Sequence, residues 1–220
     1  MNKNKDYIQN IDNAERRFFV APVTIEKREG EDQSHDVVGH AALYGKRANI
    51  GNMFEEEISA GAFDDILNDD VRCLFNHDPN YVLARSSNGQ GTLRLSIDEA
   101  GLRYSYKTPN RSYALDLEDA IRTGDISQSS FAFKVKDDVW TERSGDIPLR
   151  TITKMERIYD VAPVTYPAYQ DATVGKRSLE GFRAINIEVQ DPKTIEQNNE
   201  RAEAFDVYDA QYQFNLNKSK

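Results

Sequence analysis

The chain has few residues that could support a metal site, a disulfide or a nucleotide. Its 220 residues include one cysteine, Cys73, which cannot form an internal disulfide and so fits a reducing compartment. The three histidines, His35, His40 and His77, are scattered and give no dense ligand set for zinc. The Gly-Gln-Gly turn at 89–91 has no following Lys-Ser/Thr and no helix to open, so it is not a phosphate loop. We therefore expect no metal and no cofactor.

The sequence also lacks long apolar runs and an excess of positive charge. With 28 Lys and Arg against 37 Asp and Glu, the formal net charge is -9, which argues against nucleic acid or an anionic membrane as a partner. No run approaches the length of a membrane span, and residues 1–6 lack the apolar core of a signal peptide. These features predict a cytoplasmic protein without nucleic-acid or membrane partners.

The length favours one domain with tails. A chain of 220 residues can bury one sizeable core but not two comfortable ones. Residues 1–16 are polar and read as an N-terminal arm. Residues 188–220 are rich in Asn, Gln and charge and lack strand signals, which indicates an appended polar tail. The domain itself is predicted to span 17–187.

Within that domain β patterns dominate. Strands are predicted at Arg17–Glu26, Val37–Tyr44 and Val71–Phe75, hairpins over Val82–Tyr106, and long strands at Phe131–Trp140 and Leu149–Thr165. His77 is predicted to share a face with the strand that ends at Phe75. The acidic run at 55–57 is interpreted as a solvated edge.

Two helices are predicted between these strands. The first begins at Ser59, which can cap a helix, and places Phe63, Ile66 and Leu67 at helical spacing. The second begins at Ser112 and ends at Gly124, where a residue that tolerates positive φ is expected.

Three separate apolar segments offer a nucleophile, a base and an acid. Ser130 opens the aromatic run Phe131–Phe133, His77 lies upstream in a turn, and Asp160 precedes the apolar stretch from Val161. A serine hydroxyl needs an imidazole to take its proton and a carboxylate to hold that imidazole in the right tautomer. Their order along the chain is no objection, because triads are defined by geometry. These three residue types are the ones that form the catalytic triad of a serine hydrolase.

The residues taken alone allow other interpretations. Ser130 could be a strand-end serine bonded to backbone, His77 a turn histidine, and Asp160 a strand residue paired with Arg157. Ser127 and Ser129 are local rivals of Ser130. On a strand, 127 and 129 share one face and 130 the other, so they cannot all point at His77.

Six blocks in order resemble the prohead protease family of tailed bacteriophages, serine proteases of capsid maturation thought to be related to herpesvirus assemblin. The blocks are Gly39–Ala42, Ile58–Phe63, Val71–Asp78, Gly91–Leu95, Ser130–Phe133 and Asp160–Val174. The resemblance implies an α+β fold, a mainly antiparallel β-barrel with packed helices similar to assemblin.

The resemblance also implies site residues. The family's histidine base and serine nucleophile map to His77 and Ser130. The family usually has glutamate where this chain has Asp160, and Asp160 is expected to orient His77. By analogy with the Ser-His-His arrangement of assemblin, His40 is the alternative third member. The family's glycine is replaced by Ala132, and Arg85 or backbone amides near Ser130 are candidates for the oxyanion hole.

The implied function is a serine endopeptidase that processes the scaffold region of the phage major capsid protein, and itself, inside the immature prohead in the host cytoplasm. Its expected partners are the major capsid protein and scaffold region as substrates and a second copy of itself, as a homodimer or higher oligomer. Two alternatives stay open. One is a catalytically inactive relative that acts as an internal scaffold or capsid-binding protein, and the other is a different serine hydrolase on a β scaffold.

Overall fold

The computed structural model describes residues 14–27, 35–166 and 179–183, and these are mostly β. The strands are β1 (Glu15–Lys27), β2 (His35–Leu43), β3 (Ala48–Ile50), β4 (Phe54–Ile58), β5 (Val71–Leu74), β6 (Val82–Ser87), β7 (Gln90–Gly91), β8 (Leu93–Ile97), β9 (Gly101–Lys107), β10 (Gln128–Thr141) and β11 (Leu149–Val164). One α-helix, α1, spans Ser112–Thr123, Phe75–His77 form a 3-10 turn, and residues 179–183 are helical.

The strands form one nearly closed, barrel-like sheet in the order β7-β6-β5-β11-β10-β1-β2-β9-β8. β6 and β8, near the two ends of this order, contact each other. β4 pairs with one end of β11 and β5 with the other, both in parallel, whereas the remaining described pairings are antiparallel. The predicted mainly antiparallel β architecture is therefore confirmed.

The inward faces of the strands and one face of α1 enclose the main core. α1 contributes Ala114, Leu117 and Ile121, which recur at helical spacing, and β10 contributes Phe131 and Phe133. The helix ends at Gly124, whose φ of 85° is the left-handed conformation predicted for this position. A short connection then leads into β10.

The helix predicted from Ser59 is wrong. Residues 59–69 form a series of turns, with backbone bonds from Ala62 to Ser59 and from Ile66 to Phe63. Gly61, with a φ of 87°, interrupts any helical run. Phe63 and Ile66 are still buried in the core, so their spacing reflects burial in consecutive turns. The helical content is consequently smaller than predicted.

The strand predicted to reach Phe75 ends at Leu74. The chain then turns tightly, so His77 does not continue the face of β5. The other predicted strands are present, and the turn around 144–146 has Gly145 at a φ of 76°.

The predicted arm and tail fall mostly outside the described residues. β1 begins at Glu15, so its first residues belong to the segment that the sequence assigned to the arm. Residues 188–220 lie outside the described part of the chain. No helix in that described part is long and apolar enough to cross a membrane.

Candidate active site

Ser130 lies near the start of β10, between two neighbouring strands. Its Cα is paired with that of Phe18 in β1 and with that of Ala162 in β11. Side chains alternate along a strand, so Ser129 and Ser130 must point to opposite faces. Ser129 Oγ lies 2.8 Å from the hydroxyl of Tyr104 in the core, and Ser130 faces away from that core.

Asp160 reaches the same face from β11. It is paired with Ala132, and Ala162 with Ser130, so Asp160 is the diagonal neighbour of Ser130. Diagonal pairs in a sheet are about 7–8 Å apart, too far for a direct bond between these short side chains. The gap suits a bridging group the size of an imidazole.

His77 provides that bridge. Its Nδ1 lies 2.5 Å from Asp160 Oδ1, and its Nε2 lies 2.6 Å from Ser130 Oγ. The structure thus brings together the three residues singled out in the sequence, in the order carboxylate, imidazole, hydroxyl.

A strained turn aims His77 at this gap. Asn76 and His77 have φ values of 54° and 57°, in the left-handed region that non-glycine residues seldom adopt. Consecutive residues of this kind cost free energy and persist only where surrounding structure fixes them. The Asn76 side chain supplies that restraint: its Nδ2 donates to Thr165 Oγ1 at 3.0 Å, and its Oδ1 accepts from the Thr165 amide at 2.8 Å. Since Thr165 directly follows β11, Asn76 ties the turn to the strand that carries Asp160.

The site is covered in this structure. Ser130 is 0% exposed, Asp160 1% and His77 7%. Ser130 Oγ also lies 2.9 Å from the backbone carbonyl oxygen of Arg17 in β1, to which it can donate. The first part of β1, the neighbouring strand in the sheet, therefore lies directly beside the hydroxyl.

Cys73 is not a competing nucleophile. The side chain is fully buried, and this burial together with the negative charge of Asp160 raises the pKa of its thiol well above the usual value. A thiol held protonated is a poor nucleophile.

Beside the site lies a buried ionic cluster of Glu15, Arg17, Glu56 and Arg150. Arg17 Nε donates to Glu56 Oε1 at 2.5 Å and its Nη2 to Glu56 Oε2 at 3.0 Å, and Arg17 also pairs with Glu15. Arg150 donates to Glu15 at 2.8 and 3.1 Å and to Glu56 at 2.9 Å. The two positive and two negative side chains of the cluster compensate one another, as buried charges must. Arg150 Nε also donates to Asp138 Oδ2, at 2.7 Å, at the margin of the cluster.

The charges in this cluster shift the pKa values of Glu15 and Arg17. Burial alone would raise the pKa of Glu15, but the positive charges of Arg17 and Arg150 outweigh it and hold that pKa below the ordinary value. Burial would likewise lower the pKa of Arg17, and the carboxylates of Glu56 and Glu15 raise it instead. Glu15 and Arg17 are therefore both charged at neutral pH.

The interpretation of residues 55–57 as a solvated edge is wrong for the middle residue, Glu56. Glu56 is 0% exposed, whereas Glu55 and Glu57 lie on the outer face of β4. The alternation of a half-buried strand explains the difference, and three acidic residues in a row hide that alternation in the sequence.

The alternative site residues lie elsewhere. His40 Nε2 is 2.8 Å from Asp98 Oδ2 on the β2–β9 side of the sheet, so His40 is engaged away from His77. Arg85 forms an exposed ion pair with Asp70, at 2.7 and 2.9 Å. Ala132 lies opposite Asp160, on the face that Ser130 shares.

Two features of the site escaped sequence analysis. The sequence pattern places His77 in a turn but predicts no role for Asn76, although asparagine is among the residues that tolerate left-handed backbone. Arg17 is predicted only as the start of a strand, and nothing local in the sequence places its carbonyl against Ser130.

Among the described residues, no group of three or more His, Cys, Asp or Glu side chains could hold a metal ion.

Comparison with known proteins gives one family and one distant structure. Residues 22–184 match the sequence model of the caudovirus prohead serine protease family. A solved structure of the bacteriophage T4 capsid assembly protease is similar at 8% sequence identity and a TM-score of 0.41, covering 69% of this chain and 97% of that one. No curated protein sequence matches the chain.

Proposed function

Because the chain belongs to the caudovirus prohead serine protease family, whose model covers residues 22–184, we propose that it is a serine endopeptidase with Ser130 as nucleophile, His77 as base and Asp160 as the residue that orients His77. The observation that carries this proposal is the continuous path from Asp160 Oδ1 through the His77 ring to Ser130 Oγ, with separations of 2.5 and 2.6 Å.

In the proposed mechanism each of these atoms has one task. Asp160 Oδ1 accepts a hydrogen bond from the N–H at His77 Nδ1, which leaves Nε2 as the basic nitrogen facing Ser130. As Ser130 Oγ bonds to the substrate carbonyl carbon, Nε2 takes the hydroxyl proton. When the C–N bond breaks, Nε2 returns that proton to the leaving amine. Water then hydrolyses the acyl-enzyme by the same route.

The substrates we propose are the scaffold region of the phage major capsid protein and the protease chain itself, cut inside the immature prohead in the host cytoplasm. The family assignment supports this choice, because its members are prohead proteases. We further propose a fold similar to herpesvirus assemblin, a homodimer or higher oligomer, and removal of residues 188–220 by self-processing. Light scattering with activity across a dilution series tests the oligomer, and full specific activity in a strict monomer would contradict it.

The decisive experiment compares cleavage of capsid precursor and labelling by a serine-directed fluorophosphonate in the wild type and in Ser130→Ala. The matched control is Ser127→Ala, three residues away and exposed. We expect Ser130→Ala to lose both activities and Ser127→Ala to keep them. Label on Ser129, or cleavage by Ser130→Ala at the wild-type rate, would refute the assignment.

A further inference from the structure

β1 has two parts with different partners. Glu15–Phe19 pairs antiparallel with β10, the strand that carries Ser130. After an irregularity Pro22 still pairs with β10, and from Val23 onward the strand pairs with β2. The family match begins at residue 22, so the first part lies before the matched region. Many proteins bind a peptide ligand as an additional strand at the edge of a sheet. Here the strand to which the segment is added is the one that carries the nucleophile.

The backbone of this first part meets the nucleophile at one peptide bond. The carbonyl oxygen of Arg17 lies 2.9 Å from Ser130 Oγ, and the next residue, Phe18, is the Cα partner of Ser130. The peptide bond between Arg17 and Phe18 is thus the one that lies next to the Ser130 hydroxyl.

Two side chains of this first part, Glu15 and Arg17, are buried and paired with residues of opposite charge. Arg17 is fully buried, held by both oxygens of Glu56 at 2.5 and 3.0 Å, and its guanidinium lies 5.6 Å from the centre of the Phe133 ring. Glu15, two residues earlier on the same face, is held by two nitrogens of Arg150 at 2.8 and 3.1 Å.

We propose that Glu56 and Arg150 are the specificity-determining residues of the protease, and that Glu15–Phe19 lies in the substrate groove in the manner of a substrate. Glu56 selects arginine as the residue that donates the scissile carbonyl. Arg150 selects an acidic residue two positions before it. The substrate class is therefore an extended peptide of the form acidic-any-Arg, cut after the arginine. This inference rests on the proposed function.

Without the segment, Glu56 and Arg150 still form a pair. Arg150 Nη1 is 2.9 Å from Glu56 Oε2, so an empty groove would not leave either charge isolated. Glu56 Oε1 remains for an incoming guanidinium. The Nε of Arg150 donates to Asp138 at 2.7 Å, and its Nη2, which bonds Glu15 in this structure, remains for an incoming carboxylate. The two subsites thus survive departure of the segment.

The bound segment is held unreacted because its carbonyl oxygen, and not its carbon, faces Ser130 Oγ. A hydroxyl has one proton, so a bond donated to Arg17 removes that proton from His77 Nε2. For a peptide in the productive position, Oγ bonds to the arginine carbonyl carbon and the hydroxyl proton passes through His77 to the departing amine. Water then frees the arginine carboxylate.

The test uses the full-length chain and quenched fluorogenic peptides with the sequence of residues 13–21, in which the positions of Glu15 and Arg17 are kept or replaced by glutamine. Occupancy of the groove by the chain's own segment lowers all rates by the same factor, so ratios of kcat/KM report specificity alone. We expect the parent peptide to exceed the Arg17→Gln peptide by about 100-fold, since a site built to bond a polar group rejects an analogue that lacks it. Mass spectrometry should locate the cut after the second arginine.

Protein variants assign that preference to Glu56. In Glu56→Gln the ratio between the two peptides should fall below about tenfold, whereas Glu57→Gln, whose side chain lies on the outer face of β4, should keep the wild-type ratio. A ratio near one in the wild type would overturn the proposal, as would an unchanged ratio in Glu56→Gln.

A separate measurement tests whether the segment Glu15–Phe19 blocks access to Ser130. The double variant Glu15→Gln/Arg17→Gln removes one charge of each sign, and fluorophosphonate should label its Ser130 at least about tenfold faster than in the wild type. An unchanged labelling rate in the folded double variant, or loss of the fold by circular dichroism, would make the segment a structural strand and overturn this part. If capsid precursor is cleaved without preference for arginine, the specificity proposal alone fails. If no substrate is cleaved and Ser130 is never labelled, the proposed function fails with it.

Discussion

Asn76 is bonded to Thr165 through both atoms of its amide, at 3.0 and 2.8 Å, and this pair locks the left-handed turn that carries His77. Asn76 contacts neither Ser130 nor Asp160 in any described hydrogen bond. Its action on the site therefore runs through the position of the His77 ring, which must stay within bonding distance of two groups on two other strands.

Replacing Asn76 should reduce catalysis without abolishing substrate binding. In Asn76→Ala the tie to Thr165 is lost and the left-handed backbone is disfavoured, so we expect kcat to fall about 100-fold with KM nearly unchanged. Asn76→Gly tolerates the left-handed backbone and loses only the hydrogen bonds to Thr165, so its kcat should lie between those of the wild type and Asn76→Ala. Steady-state kinetics on capsid-derived peptide measures this. Wild-type kcat in Asn76→Ala would show that the turn holds His77 unaided.

Gly39 is predicted to be intolerant of any side chain. A Cβ at this position would lie 2.6 Å from the Tyr104 hydroxyl, whose ring packs over the glycine and bonds Ser129. We expect Gly39→Ala to lower the free energy of unfolding by about 1–3 kcal/mol through overpacking. Urea denaturation measures the loss. Gly181→Ala is the control, because an added Cβ there meets nothing within 4 Å, and its stability should stay at or above that of the wild type.

Glu15 should make the fold sensitive to acid. Its folded-state pKa lies below its ordinary value of 4.5. The folded state therefore binds fewer protons than the unfolded chain, and the stabilisation is complete above pH 4.5 and lost as the pH falls through the folded-state value. At pH 7, Glu15→Gln should cost about 1–3 kcal/mol, because Arg17 and Arg150 each lose one carboxylate partner, whereas both keep Glu56 and Arg150 also keeps Asp138.

The difference between wild type and Glu15→Gln should shrink as the pH falls from 4.5 to the folded-state pKa of Glu15, because the unfolded wild-type chain takes up a proton there first and the folded chain only below its lower pKa. Denaturation at a series of pH values measures it. Glu99→Gln, an exposed position, is the control and should follow the wild type at every pH. A difference that stays constant down to the acid limit would mean that Glu15 contributes through shape alone.

The sequence predicts the strands better than it predicts the site's surroundings. Alternation and β-branched residues locate β10 and β11, and alternation alone separates Ser129 from Ser130. The turn at His77 could not be predicted, because a left-handed pair is stabilised by Thr165, which is 89 residues away from Asn76 in the chain. Burial of Glu56 could not be predicted either, since its partners Arg17 and Arg150 come from strands distant in sequence.

The roles proposed for the three site residues predict unequal and non-additive losses. Ser130→Ala and His77→Ala each remove the activated nucleophile, whereas Asp160→Asn keeps the shape but favours the wrong tautomer of His77 and should leave a small residual rate, about 10⁴-fold below wild type in kcat. The double variant of Ser130 and His77 should be scarcely worse than either single variant, because once one is gone the other has nothing to activate. Fluorophosphonate labelling of Ser130 should fall steeply in His77→Ala while circular dichroism shows the fold intact. Losses that multiply in the double variant would mean that the two residues act independently, and the mechanism in which His77 activates Ser130 would have to be abandoned.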